Sequence, residues 1–411
     1  MTLKKQAAQK TKPHQNQTSN PLNFFYNQYL RRNYSSTPTH FSEERDFQTV
    51  QLTRLPTILH NLLEPLTGDQ LDHYLTAGWR PIGQQLYTCD FIRTEEDELF
   101  GCLQARMPLA GHEFKRKQRR LLRKNGQALT YRIGPAREVS RDMREINRRY
   151  LKENPGKSRP DLEFHVGYYP EKRFINTRQV EVYLDNLLIA FSYFDAGNKC
   201  LYSKAGIYDP YYKEYSLGTY TMLLEVQWAK ENGYEYYHPG YFAADMPVFN
   251  YKLKLGPMQY RDCQQGQWRD LVDGDPTLPK DPLHLHQAAQ YELATTLFRN
   301  GINSRVKEYP SFTARFYYPG HGGGLVDAPL VCQLDEGVPS GRNTLITYNH
   351  HTEEYTVFNP GLSSLTDIKL QPVGPSGVRR YPRPVPVEII HLVTDSVQEI
   401  AELCKQAQYA E

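Results

Sequence analysis

Between Val180 and Phe242 strand-like runs alternate with turns so short that few architectures can accommodate them. Val180–Leu184, Leu187–Phe194 and Lys199–Tyr208 are rich in β-branched and aromatic residues. They are joined by Asp185-Asn186 and by Ala196-Gly197-Asn198, turn compositions that predict an antiparallel meander. After the loop Asp209–Tyr215, Ser216 is positioned to cap a helix reaching about Asn232, with Leu217, Tyr220, Leu224 and Trp228 along one side and Gly233 as its stop. Tyr234–Phe242 then reads as a strand returning parallel to the one before the helix. The expected result is an α+β unit built on a mixed sheet.

The flanks are less regular. Asp69 is placed to cap a helix to Ala77, which Gly78 ends, and Leu71, Tyr74 and Leu75 share its face. Strand-like runs Gln84–Arg93, Leu99–Met107 and Ala128–Ile133 follow, then a helix Arg141–Glu153 with Met143, Ile146 and Tyr150 on one stripe. Beyond Lys280 the pattern predicts a helix His284–Asn300, strands Thr344–Asn349, Glu354–Phe358 and Val387–Val393, and a last helix Ser396–Ala407. The division expected is a disordered tail over 1–42, an N-terminal mixed unit over 43–135, a central domain over 136–280 and a C-terminal α/β appendage over 281–411.

At 411 residues the chain is long enough for more than one packed unit. Hydrophobic residues make up 39% and the net charge is only +3, so a polyanionic partner must be argued from local clustering. The tail has no acidic residue and is rich in Gln, Asn, Ser and Thr, which suits a disordered segment better than an organellar leader. No apolar run nears the roughly 18 residues of a membrane-spanning helix, so a cytoplasmic protein with no membrane partner is expected. The six cysteines are scattered without a CxxC pair, which predicts neither a disulfide framework nor a zinc site.

Lys115, Arg116, Lys117, Arg119, Arg120, Arg123 and Lys124 fill seven of ten positions, and no acid follows until Glu138. Such density makes a surface for phosphates, unless acids folded from elsewhere offset it and the segment is only a solvated basic helix. A Gly-x-Ser-x-Gly elbow and a paired Cys and His are both missing, which counts against hydrolases. His321 in Pro319-Gly320-His321-Gly322-Gly323-Gly324 reads as part of a glycine turn.

The series Tyr208-Asp209-Pro210, Ser216-Leu217-Gly218-Thr219-Tyr220, Tyr236-Tyr237-His238-Pro239-Gly240-Tyr241 and Asn250-Tyr251-Lys252 resembles the C-terminal domain of arginyl-tRNA-protein and leucyl-tRNA-protein transferases. Upstream, Gly78-Trp79-Arg80-x-x-Gly83, Gln118-Arg119-Arg120 and Arg123-Lys124-Asn125 resemble that family more loosely, so the likeness covers about Leu66 to Pro257. Met246, Val248 and Phe249 stand where the family has Cys, Lys and Met. The family also carries clustered N-terminal cysteines associated with metal or iron–sulfur binding; here only Cys89 and Cys102 stand in that region, and no cluster or cofactor is expected.

The resemblance implies a GNAT-like acyltransferase fold and the transfer of arginine or leucine from an aminoacyl-tRNA co-substrate to the N-terminal amine of a protein or peptide, typically one with an acidic first residue. An aminoacyl ester is already activated, so such chemistry needs positioning, a neutral amine and donors for the oxyanion rather than a nucleophilic side chain. The basic run would then contact tRNA. The backbone N–H groups at Ser216, Leu217, Gly218 and Thr219 are expected to hold a terminal phosphate or polarise a carbonyl, with Ser216 also a cap. Tyr208 and Asp209 belong to the same matched stretch. Tyr237, Tyr241 and Tyr251 are either stacking and hydrogen-bonding groups for the 3′ adenosine and ester, or core. His238 and Asp245 are candidates to take the proton of the attacking amine, His238 alternatively being structural. Lys252 and Lys254 are candidates to read the acidic acceptor. Two other readings stay open: a GNAT-type N-acyltransferase using an acyl-CoA, although the loop Lys213–Thr219 has only Gly218 to cradle a pyrophosphate, and a catalytically silent tRNA- or peptide-binding relative.

Overall fold

A computed structural model describes residues 57–94, 97–155, 157–243, 250–271, 281–312, 325–335, 344–362, 377, 379–381 and 384–408. The tail, Asp245 to Phe249 and the glycine turn around His321 lie outside the described residues. Among those described, no helix is long and apolar enough to cross a membrane.

The chain begins with β1 (Thr57–His60), α1 (Gly68–Thr76), β2 (Arg80–Ile82) and β3 (Gln85–Cys89), the three strands pairing in the order β1-β3-β2. Thr67, not Asp69, caps α1: its side chain accepts from the N–H of Gln70, whose side chain accepts in return from the N–H of Thr67. The long runs expected from Gln84 and Leu99 each break, at Asp90 and at Cys102. They yield the hairpin β4 (Phe91–Arg93) and β5 (Leu99–Gly101), followed by β6 (Leu103–Pro108), which joins a different sheet. Next come α2 (Arg116–Gly126), β7 (Thr130–Pro135) and α3 (Arg141–Glu153), the last with the expected bounds.

The central sheet adds β8 (Thr177–Leu184), β9 (Leu187–Ala196), β10 (Cys200–Tyr208), α4 (Leu217–Glu231), β11 (Tyr236–Phe242), β12 (Met258–Arg261) and β13 (Trp268–Leu271). Its strand order is β13-β12-β6-β11-β10-β9-β8-β7. Asp185 and Asn186 both adopt positive φ, as a tight β8–β9 hairpin turn of matching twist requires. β11 pairs parallel to β10, and every other pairing in this sheet is antiparallel. The boundary expected at residue 135 therefore falls within a continuous sheet, with β6 and β7 built into it.

One face of the sheet is covered by α4, whose Leu217, Tyr220, Leu223, Leu224 and Val226 pack on Val180, Val182, Ile189, Phe194 and Leu201. The other carries α3, whose Met143, Ile146 and Tyr150 meet Phe191, Tyr193 and Ile207, and α1 beside it. Asp72 of α1 fixes that helix to the β9–β10 turn by accepting from the N–H groups of Asn198 (3.0 Å), Lys199 (2.8 Å) and Cys200 (2.8 Å).

The C-terminal part comprises α5 (Pro282–Arg299), β14 (Ser304–Glu308), β15 (Leu330–Leu334), β16 (Leu345–Asn349), β17 (Glu354–Pro360), β18 (Val387–Thr394) and α6 (Val397–Gln408). Its five strands form an antiparallel sheet in sequence order, with α5 and α6 packed on one face. The other face includes Phe91 of β4, so the hairpin that interrupts the N-terminal strands is part of this second core.

Candidate active site

β10 and β11 pair over only three positions, Cys200↔Tyr236, Leu201↔Tyr237 and Tyr202↔His238; on its other edge β11 stays paired with β6 from Tyr236 to Phe242, with a register shift between Tyr237 and Gly240. Two parallel strands that part leave a gap which side chains from both, and from the helix linking them, can line. Glu225 of α4 lies there, fully buried, and accepts from Ser192 Oγ at 2.6 Å and Tyr237 OH at 2.8 Å. Burial pushes its carboxyl up to about 7, and the hydrogen bonds from Ser192 and Tyr237 only partly offset this.

Phenols surround that carboxyl. Burial raises Tyr251, and the nearby Glu225 carboxylate raises it further; Tyr150 is pushed up to about 12 by burial, with Tyr208 and Tyr251 adding to it. The Tyr150 and Tyr208 rings meet edge to face at 5.0 Å. Tyr208 also lies against the start of α4, where a Cβ at Gly218 would stand 3.3 Å from its ring. Any side chain at Gly218 would press on that ring and cover the helix end.

The helix start is built differently from the expected cap. Ser216 takes a left-handed conformation (φ 49, ψ 47) and its hydroxyl makes no cap hydrogen bond; its carbonyl instead accepts from the N–H groups of Thr219 and Tyr220. The N–H groups of Leu217 and Gly218, first in the helix, have no intrahelical acceptor. Leu217 is buried in the core and Thr219 is exposed. Asp209 is occupied within the fold: it accepts from Tyr211 N–H at 3.2 Å and pairs with Arg149 at 2.7 Å.

Beyond the gap a cationic corner forms. The Arg80 guanidinium lies between the rings of Tyr87 (4.8 Å) and Tyr241 (4.3 Å) and donates to the Cys89 carbonyl at 2.8 Å. Lys252 Nζ donates to the Tyr241 carbonyl at 3.0 Å and lies 5.1 Å from the Tyr241 ring centroid. Burial, with Arg80 close by, pushes the Lys252 ammonium down to about 8. Gly240 sits at φ 96, and a Cβ there would stand 3.1 Å from Lys252 Nζ. The single turn Asn250–Leu253 thus supplies Tyr251 to the phenol group and Lys252 to the corner.

Of the sequence candidates, Tyr208, Gly218, Tyr237 and Tyr251 gather at the gap, and Tyr241 and Lys252 at the corner. His238 follows Tyr237 on the strand and points to the opposite face, where its ring meets Trp268 edge-on at 5.6 Å. Burial, with Arg106 nearby, pushes it down to about 3. Lys254 is exposed, and its carbonyl accepts from Gln118. Asp245 lies outside the described residues. Sequence reading missed Glu225 and Tyr150 and used Arg80 only as a motif letter. The one available signal for Glu225 was an acid set among Leu223, Leu224 and Val226.

All seven basic residues of the 115–124 run are exposed on or beside α2, and among the described residues none forms an ion pair. The C-terminal end of α2 is tied beside the approach to α4: Asn125 Nδ2 donates to the Tyr215 carbonyl at 2.8 Å and Lys124 Nζ to the Glu214 carbonyl at 3.4 Å.

Cys89 and Cys102 are neighbours. A hydrogen bond from Cys102 lowers the Cys89 thiol, and burial raises Cys102. A thiolate-held metal or iron–sulfur centre needs four ligands, and among the described residues no third Cys, His, Asp or Glu side chain joins this pair. These residues do not fit such a group.

A mixed sheet whose parallel strands part beside the start of a buried helix has the layout expected of a GNAT-like fold. Residues 139–262 match the family described as Arginine-tRNA-protein transferase, C terminus, and the chain is similar in sequence to enzymes named as aminoacyl-tRNA-protein transferases. It is 29% identical over 247 residues to an aspartate/glutamate leucyltransferase of Acinetobacter baumannii, covering 58% of this chain and 84% of that one. An aspartate/glutamate leucyltransferase of Leptospira interrogans is 26% identical over 219 residues, covering 51% and 82%. Arginyl-tRNA–protein transferase 2 of Arabidopsis thaliana is 34% identical over 104 residues, covering 24% and 17%.

Proposed function

We propose that the protein transfers arginine or leucine from a charged tRNA to the N-terminal amine of a protein whose first residue is acidic. The observation that carries this reading is the fully buried Glu225 at the floor of the β10–β11 gap, hydrogen-bonded to Ser192 and Tyr237 and close to neutral in its titration.

In the reaction the amine nitrogen attacks the ester carbonyl and the bond to the terminal ribose oxygen breaks. The amine loses one proton and the departing ribose hydroxyl gains one. Glu225, reached through the Tyr237 hydroxyl, is suited to hold that proton because a base works best near the operating pH. The N–H groups of Leu217 and Gly218 are the available donors for a phosphate or oxyanion, and the Tyr150, Tyr208 and Tyr251 rings offer stacking surface for the 3′ adenosine. α2 supplies exposed cations along the approach to this helix end, supporting tRNA as the donor's carrier. Arg80 and Lys252 form a cation pair suited to a carboxylate on the acceptor's first residue.

The test uses the purified full chain, pools of radiolabelled aminoacyl-tRNA and peptides beginning with Asp, Glu or Ala. Transfer of label to the Asp and Glu peptides supports the proposal; tRNA binding without transfer, or acylation only from an acyl-CoA, overturns it.

A further inference from the structure

Away from the site described, Asp90, His350 and His351 converge across the junction between the N-terminal strands and the C-terminal sheet. Their ligand atoms all lie within 4.8 Å of one another. Asp90 Oδ2 lies 2.6 Å from His351 Nε2 and 3.1 Å from His350 Nε2, so both imidazoles aim the same nitrogen at one carboxylate oxygen. His350 is fully buried and the other two are mostly so.

The remaining atoms show what this arrangement can hold. His351 Nδ1 lies 2.6 Å from the Cys263 carbonyl, which can only accept, so Nδ1 carries the proton. In a neutral ring that leaves Nε2 with its lone pair directed at Asp90, two acceptors face to face. The second proton of an imidazolium resolves the clash at 2.6 Å, and a cation shared by the two groups would replace that proton; a carbonyl-oriented histidine is the usual support of a metal ligand. Among the described residues His350 Nδ1 has no hydrogen-bond partner, and the two rings are held 4.3 Å apart between centroids.

The ligands are also held firmly. Asp90 sits where β3 ends and its carbonyl accepts from Cys102 N–H at 2.7 Å. The histidines occupy the turn from β16 to β17, where Asn349 Oδ1 accepts from His351 N–H at 2.9 Å and the Phe91 ring meets His350 edge-on at 5.3 Å.

We propose that Asp90, His350 and His351 bind a divalent transition metal, zinc being the best match to two imidazoles and a carboxylate, and that the ion clips the C-terminal sheet to the transferase body. Ligand bonds of about 2.0–2.2 Å in a tetrahedral arrangement set ligand atoms roughly 3.3–3.6 Å apart, so binding would open the 2.6 Å His351–Asp90 contact by about 1 Å or less, and three protein ligands leave a further position for water. The site is independent of the proposed transfer reaction and uses neither Cys89 nor Cys102.

The test takes the full chain purified without chelator, with metal content by mass spectrometry, thermal melting with and without added Zn2+, and the visible spectrum of protein loaded with Co2+. Expected are one ion per chain, a melting temperature several degrees higher with Zn2+, and tetrahedral Co2+ absorption; in H350Q/H351Q the spectrum and the stabilisation by Zn2+ are lost. Wild-type protein that holds no metal, shows no Co2+ spectrum at micromolar ion and melts unchanged with Zn2+ overturns the proposal, the cluster then being a hydrogen-bonded triad only. The wild-type measurements decide the matter even if the double variant fails to fold.

Discussion

The Tyr237 hydroxyl donates to Glu225 Oε2 at 2.8 Å, linking the strand that ends the acyltransferase unit to the helix that precedes it. Both residues are wholly buried, so the bond is shielded from water, and with the Ser192 hydroxyl it supplies hydrogen bonds to the Glu225 carboxylate.

Replacing Glu225 by Gln keeps the shape and removes the titration. Glu225 has a folded-state pKa of about 7 against an ordinary carboxyl near 4.5, so the folded protein holds this proton more tightly than the unfolded chain. Its contribution to stability is full below pH 4.5, falls as pH rises towards 7 and is constant above. The fall is about 3 kcal/mol as an upper bound. Urea unfolding of E225Q from pH 4.5 to 8 should lack that decline. Transfer by the wild type should show an acidic limb near pH 7 in kcat, and E225Q should lose roughly 100-fold in kcat.

The α2 cations should act through charge alone. The triple variant Lys117→Gln, Arg120→Gln, Lys124→Gln is expected to weaken tRNA binding and lower the slope of log K against log salt by roughly 2 to 3. Filter binding across a salt series measures this, and an unchanged slope would remove α2 from the interface.

Lys252 predicts a pH effect on acceptor choice. Its ammonium, held down to about 8, is charged below that value and neutral above it. KM for a peptide starting with Asp should therefore rise as pH passes 8, and in Lys252→Met it should be raised about 10-fold or more at pH 7 with the dependence gone. An unaltered KM in K252M would assign the lysine to packing on Tyr241.

Gly240→Ala should fail for backbone and contact reasons together. The residue sits at φ 96, and a Cβ would approach Lys252 Nζ to 3.1 Å. A loss of about 1–3 kcal/mol in denaturant unfolding is expected, with acceptor binding weakened more than tRNA binding.

Local pattern was enough to place the meander, α3 and α4, because a tight Asp185-Asn186 turn and a repeating apolar stripe are properties of neighbouring residues. The same reasoning put the cap of α1 two residues late, since the reciprocal pair Thr67 and Gln70 competes with Asp69 for the helix start. It also read through Asp90 and Cys102, where the chain changes sheets. Nothing local marks that change; Phe91 leaves its neighbours to complete a core formed more than 200 residues later.

By itself, the sequence determined the order of strands and helices from Val180 through Phe242 and concentrated the positive charge in one helix, since periodicity and composition are short-range quantities. Only the tertiary structure decided which side chains share a site. The packing of α4 on the sheet put Glu225 beneath Tyr237 and left His238 on the opposite face, and the break at Asp90 set it against His350 and His351. Those outcomes depend on burial and on contacts between distant segments, which change titration and hydrogen bonding without leaving a mark in either segment alone.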